Sequence, residues 1–296
     1  MAQLFESRVV YFAQLRKDLR TEIEINVPEG ETMFDYSGST ALITGASKGL
    51  GAAFAEALAE RGMNLVLVAR STDELNALST RLYAKYKVRR TILSIDLADP
   101  SSPQTIAEEL ERRGTQVDLL VNNAGFGLSG EFLSHDPKQQ HAEIEVNVQA
   151  LVALTRHFGK LMAARGKGGI INVASNASFQ PLPYMATYAA TKAFVLHFSE
   201  AVHHELIRKG VHVMASCPGP TATSFFDDTS THMSPKDMDS SESVVRRTLE
   251  AFDQGRAVAY PGRTTVRIAS WLPRLLPRAL VVRIAGMATA KMGLSD

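Results

Sequence analysis

The chain has 296 residues, of which 45% are hydrophobic and 21% are charged, and its formal net charge is +1. These values are typical of a globular protein and argue against a disordered, collagen-like or strongly basic nucleic-acid-binding chain. No apolar run approaches the ~20 residues of a membrane-spanning helix. The one cysteine, Cys217, cannot form an internal disulfide, so we expect a soluble protein in a reducing compartment, the cytoplasm.

Predicted strands and helices alternate along most of the chain. The predicted strands are residues 40–44, 64–69, 91–95, 119–122, 170–174, 211–216 and 257–260. The predicted helices include residues 50–61, 103–113, 138–165, 189–209 and 240–253. Because the strands are apolar on both faces, the pattern predicts an α/β fold. We expect a Rossmann-like, doubly wound parallel sheet of about seven strands, flanked by helices on both faces.

Pattern and charge divide the chain into three parts. Residues 1–33 are an N-terminal extension, residues 34–262 form the alternating domain, and residues 263–296 form a basic apolar tail. The net charge of residues 1–37 is −3, whereas that of residues 256–296 is +6. This local basic charge could attract an acidic ligand or a membrane surface, and a solvated surface is the simpler interpretation.

The tail and one polar stretch need separate interpretation. Residues 271–291 combine arginines with apolar residues, which favours a basic amphipathic helix. Such a helix could cover a substrate cleft, contact another subunit or lie on a membrane. The polar residues 224–243 are predicted to form a long loop.

A glycine-rich turn follows the first predicted strand. Gly45, Gly49 and Gly51 stand between that strand and the helix predicted to start at residue 50. Glycine lets the backbone turn sharply and approach a phosphate, and a helix N-terminus offers free N–H groups. The spacing differs from the G-x-G-x-x-G fingerprint, so its position between strand and helix carries the prediction of a pyrophosphate site.

The second predicted strand ends in a cation instead of a carboxylate. Sites for NAD usually hold the ribose 2′-hydroxyl with a carboxylate here, whereas the 2′-phosphate of NADP needs a cation. Arg70 ends this strand, and Lys48 in the glycine-rich turn adds a second positive charge. Both could be ordinary surface cations, but the sequence favours NADP over NAD.

Two Tyr-x-x-x-Lys pairs place a phenol and an ammonium one helical turn apart. A neighbouring ammonium lowers the pKa of a tyrosine from ~10 toward a value useful for proton transfer. Tyr83 and Lys87 lie in a charged stretch with no hydroxyl residue arranged upstream, and we interpret them as surface residues. Tyr188 and Lys192 follow the fifth predicted strand and Ser175, at the edge where open α/β sheets bind ligands.

With these residues in place, the chain resembles the short-chain dehydrogenase/reductase family from about residue 34 to about residue 262. The matching motifs occur in the family's order. They are TGASKGLG at 44–51, Asp96-Leu97, NNAG at 122–125, EVNV with Asn147, Ser175 thirteen residues before Tyr188, YAATK at 188–192 and PGPTAT at 218–223. The resemblance implies that residues 34–262 are an NADP-binding catalytic domain.

The resemblance also implies a catalytic set. Tyr188 would protonate the carbonyl oxygen during reduction, and Lys192 would lower the pKa of Tyr188 and hold the nicotinamide ribose. Ser175, with Ser178 as the alternative, would polarise the substrate oxygen, and Asn147 would complete a proton relay through water. The implied cofactor-binding residues, besides Tyr188 and Lys192, are Gly45, Ser47, Lys48, Gly49, Leu50, Gly51, Arg70, Asp96, Leu97, Asn123, Ala124, Gly125, Pro218, Gly219, Thr221 and Thr223.

The leading functional hypothesis is an NADP(H)-dependent oxidoreductase acting on a carbonyl or secondary alcohol. A 3-oxoacyl or other lipid-like substrate is plausible because several apolar residues could line the cleft. These are Phe179, Leu182, Tyr184, Phe225 and Phe226. Two alternatives remain: a non-catalytic NADP(H)-binding sensor or scaffold, and a sugar-nucleotide epimerase or dehydratase.

Partners follow from the resemblance and from what the sequence lacks. Family members are commonly dimers or tetramers through the helices around Asn147 and Tyr188, which implies a homo-oligomer. Peripheral membrane contact through residues 270–291 is a further hypothesis. The eight histidines show no metal-binding spacing, so we predict no metal site and expect them on the surface.

Overall fold

The computed structural model of the chain describes residues 34–223, 225, 234, 238–271, 273 and 275–295. The N-terminal extension, and most of the stretch predicted to form a long loop, lie outside these residues. The last residues of that stretch are not loop, because they form a short strand and the start of a helix.

Seven parallel strands form the central sheet, which confirms the predicted fold class. The strands are β1 Thr40–Thr44, β2 Asn64–Ala69, β3 Arg90–Ser94, β4 Leu119–Asn122, β5 Gly168–Val173, β6 Val211–Ser216, β7 Thr221–Ala222, β8 Asp239–Ser240 and β9 Val258–Ala259. Their order in the central sheet is β3-β2-β1-β4-β5-β6-β9, and β7 pairs with β8 in a separate ladder. The order reverses between β1 and β4, which opens a crevice at the carboxyl ends of the strands.

Nine α-helices lie within the described residues. They are α1 Gly49–Glu60, α2 Thr72–Tyr86, α3 Ser102–Arg112, α4 Pro137–Ile144, α5 Ala150–Arg165, α6 Ala186–Leu206, α7 Ser241–Asp253, α8 Thr264–Trp271 and α9 Arg278–Lys291. The single helix predicted over 138–165 is two helices, joined by a π-helical turn at Glu145–Gln149. The tail helix begins later than predicted, because Pro277 is its N-cap. In the described parts of the chain, no helix is long and apolar enough to span a bilayer.

The strands send apolar side chains to both faces of the sheet. In β1, Leu42 belongs to the same buried cluster as Leu120, whereas Ile43 belongs with Val121 to the cluster on the other face. All four side chains are fully buried. Since burying one such side chain contributes roughly 1.5–3 kcal/mol, this two-sided core fixes the strand ends and the loops that follow them.

Two of the histidines that the structure describes are buried, contrary to the expectation that all would lie on the surface. His203 lies on the face of α6 that packs against β6. Its Nδ1 lies 2.8 Å from the Val213 carbonyl oxygen. The His212 ring stacks on Phe252 with centroids 4.5 Å apart, and its Nε2 lies 3.0 Å from the Arg256 carbonyl oxygen. Each imidazole can therefore be buried among apolar side chains because one of its ring nitrogens forms a hydrogen bond with a backbone carbonyl oxygen.

Burial of His212 predicts a loss of stability in acid. Desolvation is the main cause that lowers its pKa to about 4 from the ordinary 6.5. Below pH 6.5 the unfolded chain gains a proton that the folded chain does not bind until about pH 4. We expect this histidine to remove up to about 3 kcal/mol of unfolding free energy over that window. His212→Gln should reduce the loss in urea titrations at a series of pH values.

The matched control is His157→Gln, because His157 is exposed. It should leave the acid dependence of the unfolding free energy as in the unmodified protein. A His212→Gln protein with an unchanged acid dependence would contradict the prediction.

Candidate active site

The glycine-rich turn lies at the carboxyl end of β1 and requires its glycines. Gly45 has a φ of +63°, and a β-carbon there would lie 2.9 Å from the Ala124 Cα. A β-carbon on Gly51 would lie 2.0 Å from the Gly45 carbonyl oxygen. Gly51 therefore lets α1 pack behind the turn, and it is absent from the cleft lining to which Gly45 and Gly49 contribute.

Thr44 and Asn123 join the ends of β1 and β4 beneath this turn. The Thr44 Oγ1 accepts hydrogen bonds from the backbone N–H groups of Asn123 and Ala124, both at 3.0 Å. The Asn123 Nδ2 donates to the Thr44 carbonyl oxygen at 2.9 Å. Sequence reasoning missed Thr44, although a hydroxyl residue as the last residue of a buried strand is a signal that could have identified it.

The start of α1 has the features of an anion site. Its N-cap, Lys48, has extended backbone and its side chain makes no capping hydrogen bond, so the first N–H groups of the helix have no side-chain cap. Lys48 and Arg70 are exposed cations on the cleft wall. Among the described residues neither forms an ion pair, and Glu74 and Asp96 are carboxylates on the same wall. Both cations can therefore contact an anion bound at the start of α1.

The two candidate catalytic hydroxyls come together at the end of β5. Ser175 caps a 3₁₀ turn, where its Oγ accepts a hydrogen bond from the Ala177 N–H at 3.1 Å. Tyr188 lies in the first turn of α6, on the cleft wall with Ser175. Ser178, the alternative to Ser175, is occupied: its Oγ donates to the Lys192 carbonyl oxygen at 2.7 Å. The structure favours Ser175 as the hydroxyl that faces the cleft.

Lys192 lies one helical turn after Tyr188 and is almost fully buried. Its Nζ donates a hydrogen bond to the Val173 carbonyl oxygen at 2.8 Å and lies 5.8 Å from the centroid of the Tyr188 ring. Burial lowers the pKa of Lys192 to about 8. The ammonium is thus held under the end of β5.

The expected low pKa of Tyr188 is absent in this arrangement. Burial raises it to about 12, and contact with the Ser175 side chain lowers it only in part. The physical reason is that burial disfavours the charged phenolate, and the negative charge of Glu143 raises the pKa further. The phenol of Tyr188 is therefore protonated at neutral pH.

Asn147 lies behind the cleft wall, inside the π-helical turn. Its Nδ2 donates to the Phe126 carbonyl oxygen at 2.8 Å and to the Thr191 Oγ1 at 3.1 Å, and its Oδ1 accepts from the Phe126 N–H at 3.1 Å. A β-carbon on Gly125 would lie 2.9 Å from the Asn147 Oδ1 and 3.2 Å from the Lys192 Nζ. Asn147 therefore holds the loop after β4 and lies close to Lys192.

One continuous cleft of about 1350 Å³ joins these parts. Apart from Gly51, every predicted cofactor residue lines it: Gly45, Ser47, Lys48, Gly49, Leu50, Arg70, Asp96, Leu97, Asn123, Ala124, Gly125, Tyr188, Lys192, Pro218, Gly219, Thr221 and Thr223. The glycine-rich turn, the cations and the two hydroxyls thus share a single cavity.

The predicted apolar lining is only partly correct. Leu182 and Phe225 line the cleft, and the Phe225 ring lies 5.2 Å from the Tyr188 ring. Phe179 instead stacks on Tyr260, and Tyr184 is not part of the lining. Phe226 lies outside the described residues.

Helix α9 supplies apolar wall that the predicted lining did not contain. Of the three positions considered for the tail, the structure has α9 on the cleft. The lining residues from α9 and the turn after it are Val281, Ile284, Ala285, Ala288, Thr289, Met292 and Leu294. The sequence signal was the apolar content of the tail, but nothing local in it identifies the partner surface.

A comparison with known protein families shows to which family the chain belongs. The profile of the short chain dehydrogenase family matches residues 39–234. The chain belongs to the short-chain dehydrogenase family. It is therefore an oxidoreductase by family, and the resemblance predicted from its motifs is confirmed.

Two of the proteins similar to this chain are named for different substrates. A very-long-chain 3-oxoacyl-CoA reductase of Bos taurus is 32% identical over 247 residues, which cover 80% of this chain and 78% of that protein. A short-chain dehydrogenase of Sphingobium yanoikuyae, solved with NADPH, is 33% identical with a TM-score of 0.73, covering 80% of this chain and 93% of that one. A bulky-bulky ketone specific alcohol dehydrogenase of Comamonas testosteroni is 32% identical with a TM-score of 0.71, covering 80% and 91%.

Proposed function

We propose that this short-chain dehydrogenase transfers a hydride between NADP(H) and the carbonyl of a large, apolar substrate such as a 3-oxoacyl thioester. The observation that carries the proposal is the cleft itself. Ser175 and Tyr188 share this cleft with a glycine-lined turn, the cations Lys48 and Arg70, and an apolar wall from α9. The corresponding secondary alcohol would be oxidised in the reverse direction.

The residues present fit a dinucleotide phosphate. Gly45 and Gly49 both have positive φ, and a β-carbon on either would meet neighbouring atoms at 3.1 Å or less. This close-packed turn leaves backbone N–H groups for a pyrophosphate, and Arg70 and Lys48 would hold a 2′-phosphate. When bound, the nicotinamide supplies the hydride.

The protein would supply the proton and the orientation of the substrate. Tyr188 would donate its phenolic proton to the carbonyl oxygen as negative charge develops there. Ser175 would donate a hydrogen bond to the same oxygen, and Lys192 would stabilise the phenolate that remains. Asn147, beside Lys192, would connect this group to a proton relay.

The acyl chain would lie against α9. Val281 and Leu294 are buried apolar residues of the cleft lining, and Ala288 lies between them in the chain. The cleft of about 1350 Å³ would hold both the cofactor and the acyl chain, and it is larger than typical ligand pockets of ~300–1,000 Å³. The bovine relative that reduces very-long-chain 3-oxoacyl-CoA supports a lipid-like substrate.

A chain-length series with a matched pair of variants tests this substrate class. Both alanines are exposed, but only Ala288 lines the cleft, so Ala288→Phe would place a ring in the cleft and Ala290→Phe would place the same ring outside it. We expect Ala288→Phe to lower kcat/KM for long-chain 3-oxoacyl-CoA by about tenfold or more, because the ring occupies space of the acyl chain. NADPH oxidation followed at 340 nm measures the rates.

Short acyl chains should be reduced by both variants at nearly the rate of the unmodified protein. The lipid-like assignment would fail if both variants lost long-chain activity equally. It would also fail if no 3-oxoacyl thioester were reduced while other ketones were.

The alternatives have less support. A non-catalytic sensor or scaffold would be expected to carry a damaged catalytic set, and Ser175, Tyr188 and Lys192 are all present. An epimerase or dehydratase would be expected to have other glycine spacing than that of Gly45, Gly49 and Gly51.

We also propose two kinds of surface contact. Leu161 on α5 and Phe194 on α6 are 46% and 42% exposed, which suits the contact between subunits of a homo-oligomer. Met287 on α9 is 64% exposed and Arg283 lies on the same helix, which suits peripheral contact with an anionic membrane.

A further inference from the structure

A buried carboxyl group lies next to the catalytic residues and has no assigned role. Glu143 is on α4, has no exposed surface, and lies one helical turn before Asn147. Neither carboxyl oxygen forms a well-directed hydrogen bond with any described residue. A buried carboxyl group without a well-directed hydrogen bond costs stability, so a functional role for this residue was considered.

The position of Glu143 is behind the cleft wall. Its helical neighbours Ala142 and Val146 line the cleft, whereas Glu143 and Asn147 lie buried behind that lining. Helix α4 packs against α6, which carries Tyr188 and Lys192. The carboxyl group is therefore on the protein side of the catalytic pair, away from the space that a substrate would fill.

The charges around Glu143 come from few groups. From α6, the charge of Lys192 acts on Glu143, and the charge of Glu143 acts on Tyr188. On its own helical segment, His141 is exposed and Glu145 is half-buried. The loop before α4 carries His135, whose Nε2 is 3.0 Å from the Ser129 carbonyl oxygen. Lys192 is the cation whose charge acts on Glu143.

Two effects on Glu143 and Lys192 oppose each other. Burial raises the pKa of Glu143 to about 7, and the Leu128 backbone and Lys192 lower it only in part. Burial lowers the pKa of Lys192 to about 8, and the Cys217 and Glu143 charges raise it only in part. Above pH 7, the ionised carboxylate therefore favours the ammonium form of Lys192, and it also raises the pKa of Tyr188.

We propose that Glu143 is a positioning residue whose carboxylate is the buried counter-charge that keeps Lys192 protonated beside Tyr188. This inference rests on the proposed reductase function, in which protonated Tyr188 and Lys192 are the reactive forms. Removing the carboxylate lowers the pKa of both Tyr188 and Lys192, so reduction should be lost at a lower pH. Glu143 thereby extends carbonyl reduction to higher pH.

The first test needs no turnover. In cofactor-free protein labelled with ¹³C at the lysine Cε, Lys192 gives the signal that disappears in Lys192→Arg. We expect its titration midpoint to fall by about one pH unit in Glu143→Gln and Glu143→Met, and by less in Glu143→Asp. Equal midpoints in the unmodified protein and the two neutral variants would overturn the proposal.

The second test uses the pH profile of NADPH-dependent reduction. The basic limb of kcat should move to lower pH in both neutral variants and return in part in Glu143→Asp, which a purely structural role would not produce. If one neutral variant does not fold, as judged by circular dichroism, the other and the aspartate variant still decide the result. An inactive protein with the expected lysine titration would refute the reductase function alone.

Discussion

Replacing Tyr188 by phenylalanine is expected to lower kcat by about a thousandfold while leaving the affinity for NADPH almost unchanged. The reason is that the variant loses only the phenolic proton donor, and a positioned general acid contributes ~10²–10⁴-fold. The ring itself should stay in place, since it packs next to Phe225 and against Gly127, where a β-carbon would lie 2.8 Å from the ring. Steady-state rates and a fluorescence titration with NADPH measure the two quantities.

The chain contains its own control for this experiment. Tyr83 and Lys87 repeat the Tyr-x-x-x-Lys spacing, but Tyr83 is 50% exposed and neither residue lines the cleft. Tyr83→Phe should therefore keep full activity. A fully active Tyr188→Phe protein would exclude Tyr188 as the proton donor.

Arg70→Asp is expected to weaken NADPH binding about a hundredfold and to leave NADH binding nearly unchanged. The guanidinium would make charge-assisted hydrogen bonds to the 2′-phosphate, and such bonds contribute about 1.5–3 kcal/mol. Reversing the charge adds repulsion to that loss, whereas NADH has no 2′-phosphate to repel. Separate titrations with NADPH and NADH give the two dissociation constants.

The control for the change in net charge is Arg208→Asp. Arg208 is exposed in the 3₁₀ turn after α6 and does not line the cleft. This variant should bind both cofactors as the unmodified protein does. Equal weakening of NADPH and NADH by Arg70→Asp would remove the argument for NADP, and Lys48 would then have to be tested alone.

The features predicted correctly from sequence are those encoded over a few neighbouring residues. The apolar run of β1, the glycines after it and the helical spacing of Tyr188 and Lys192 each depend on local chain geometry. Because parallel strands end at the same edge of the sheet, predicting the strands also brought Ser175 to the glycine-rich turn. Local patterns thus predicted which of these residues would lie together at that edge.

The features that were missed depend on contacts between distant segments. The apolar tail predicts a helix, but only the folded chain brings Ala288 to the cleft. His212 and Glu143 are polar residues that are buried by the segments packed against them. Residue type alone therefore predicted a surface position for His212 and no role for Glu143. The prediction of a low pKa for Tyr188 was wrong for the same reason, since desolvation of the phenol depends on all the segments that surround it.

The π-helical turn at Glu145–Gln149 offsets the rotational phase of two neighbouring helices. The turn contains a wider i→i+5 repeat, so α4 and α5 do not share one continuous 3.6-residue phase. Helix α5 can direct Leu154 and Phe158 into the core, while Glu143 and Asn147 meet the partners that α6 presents. The side chains behind Lys192 and those that pack on the sheet are therefore carried by helices of different phase.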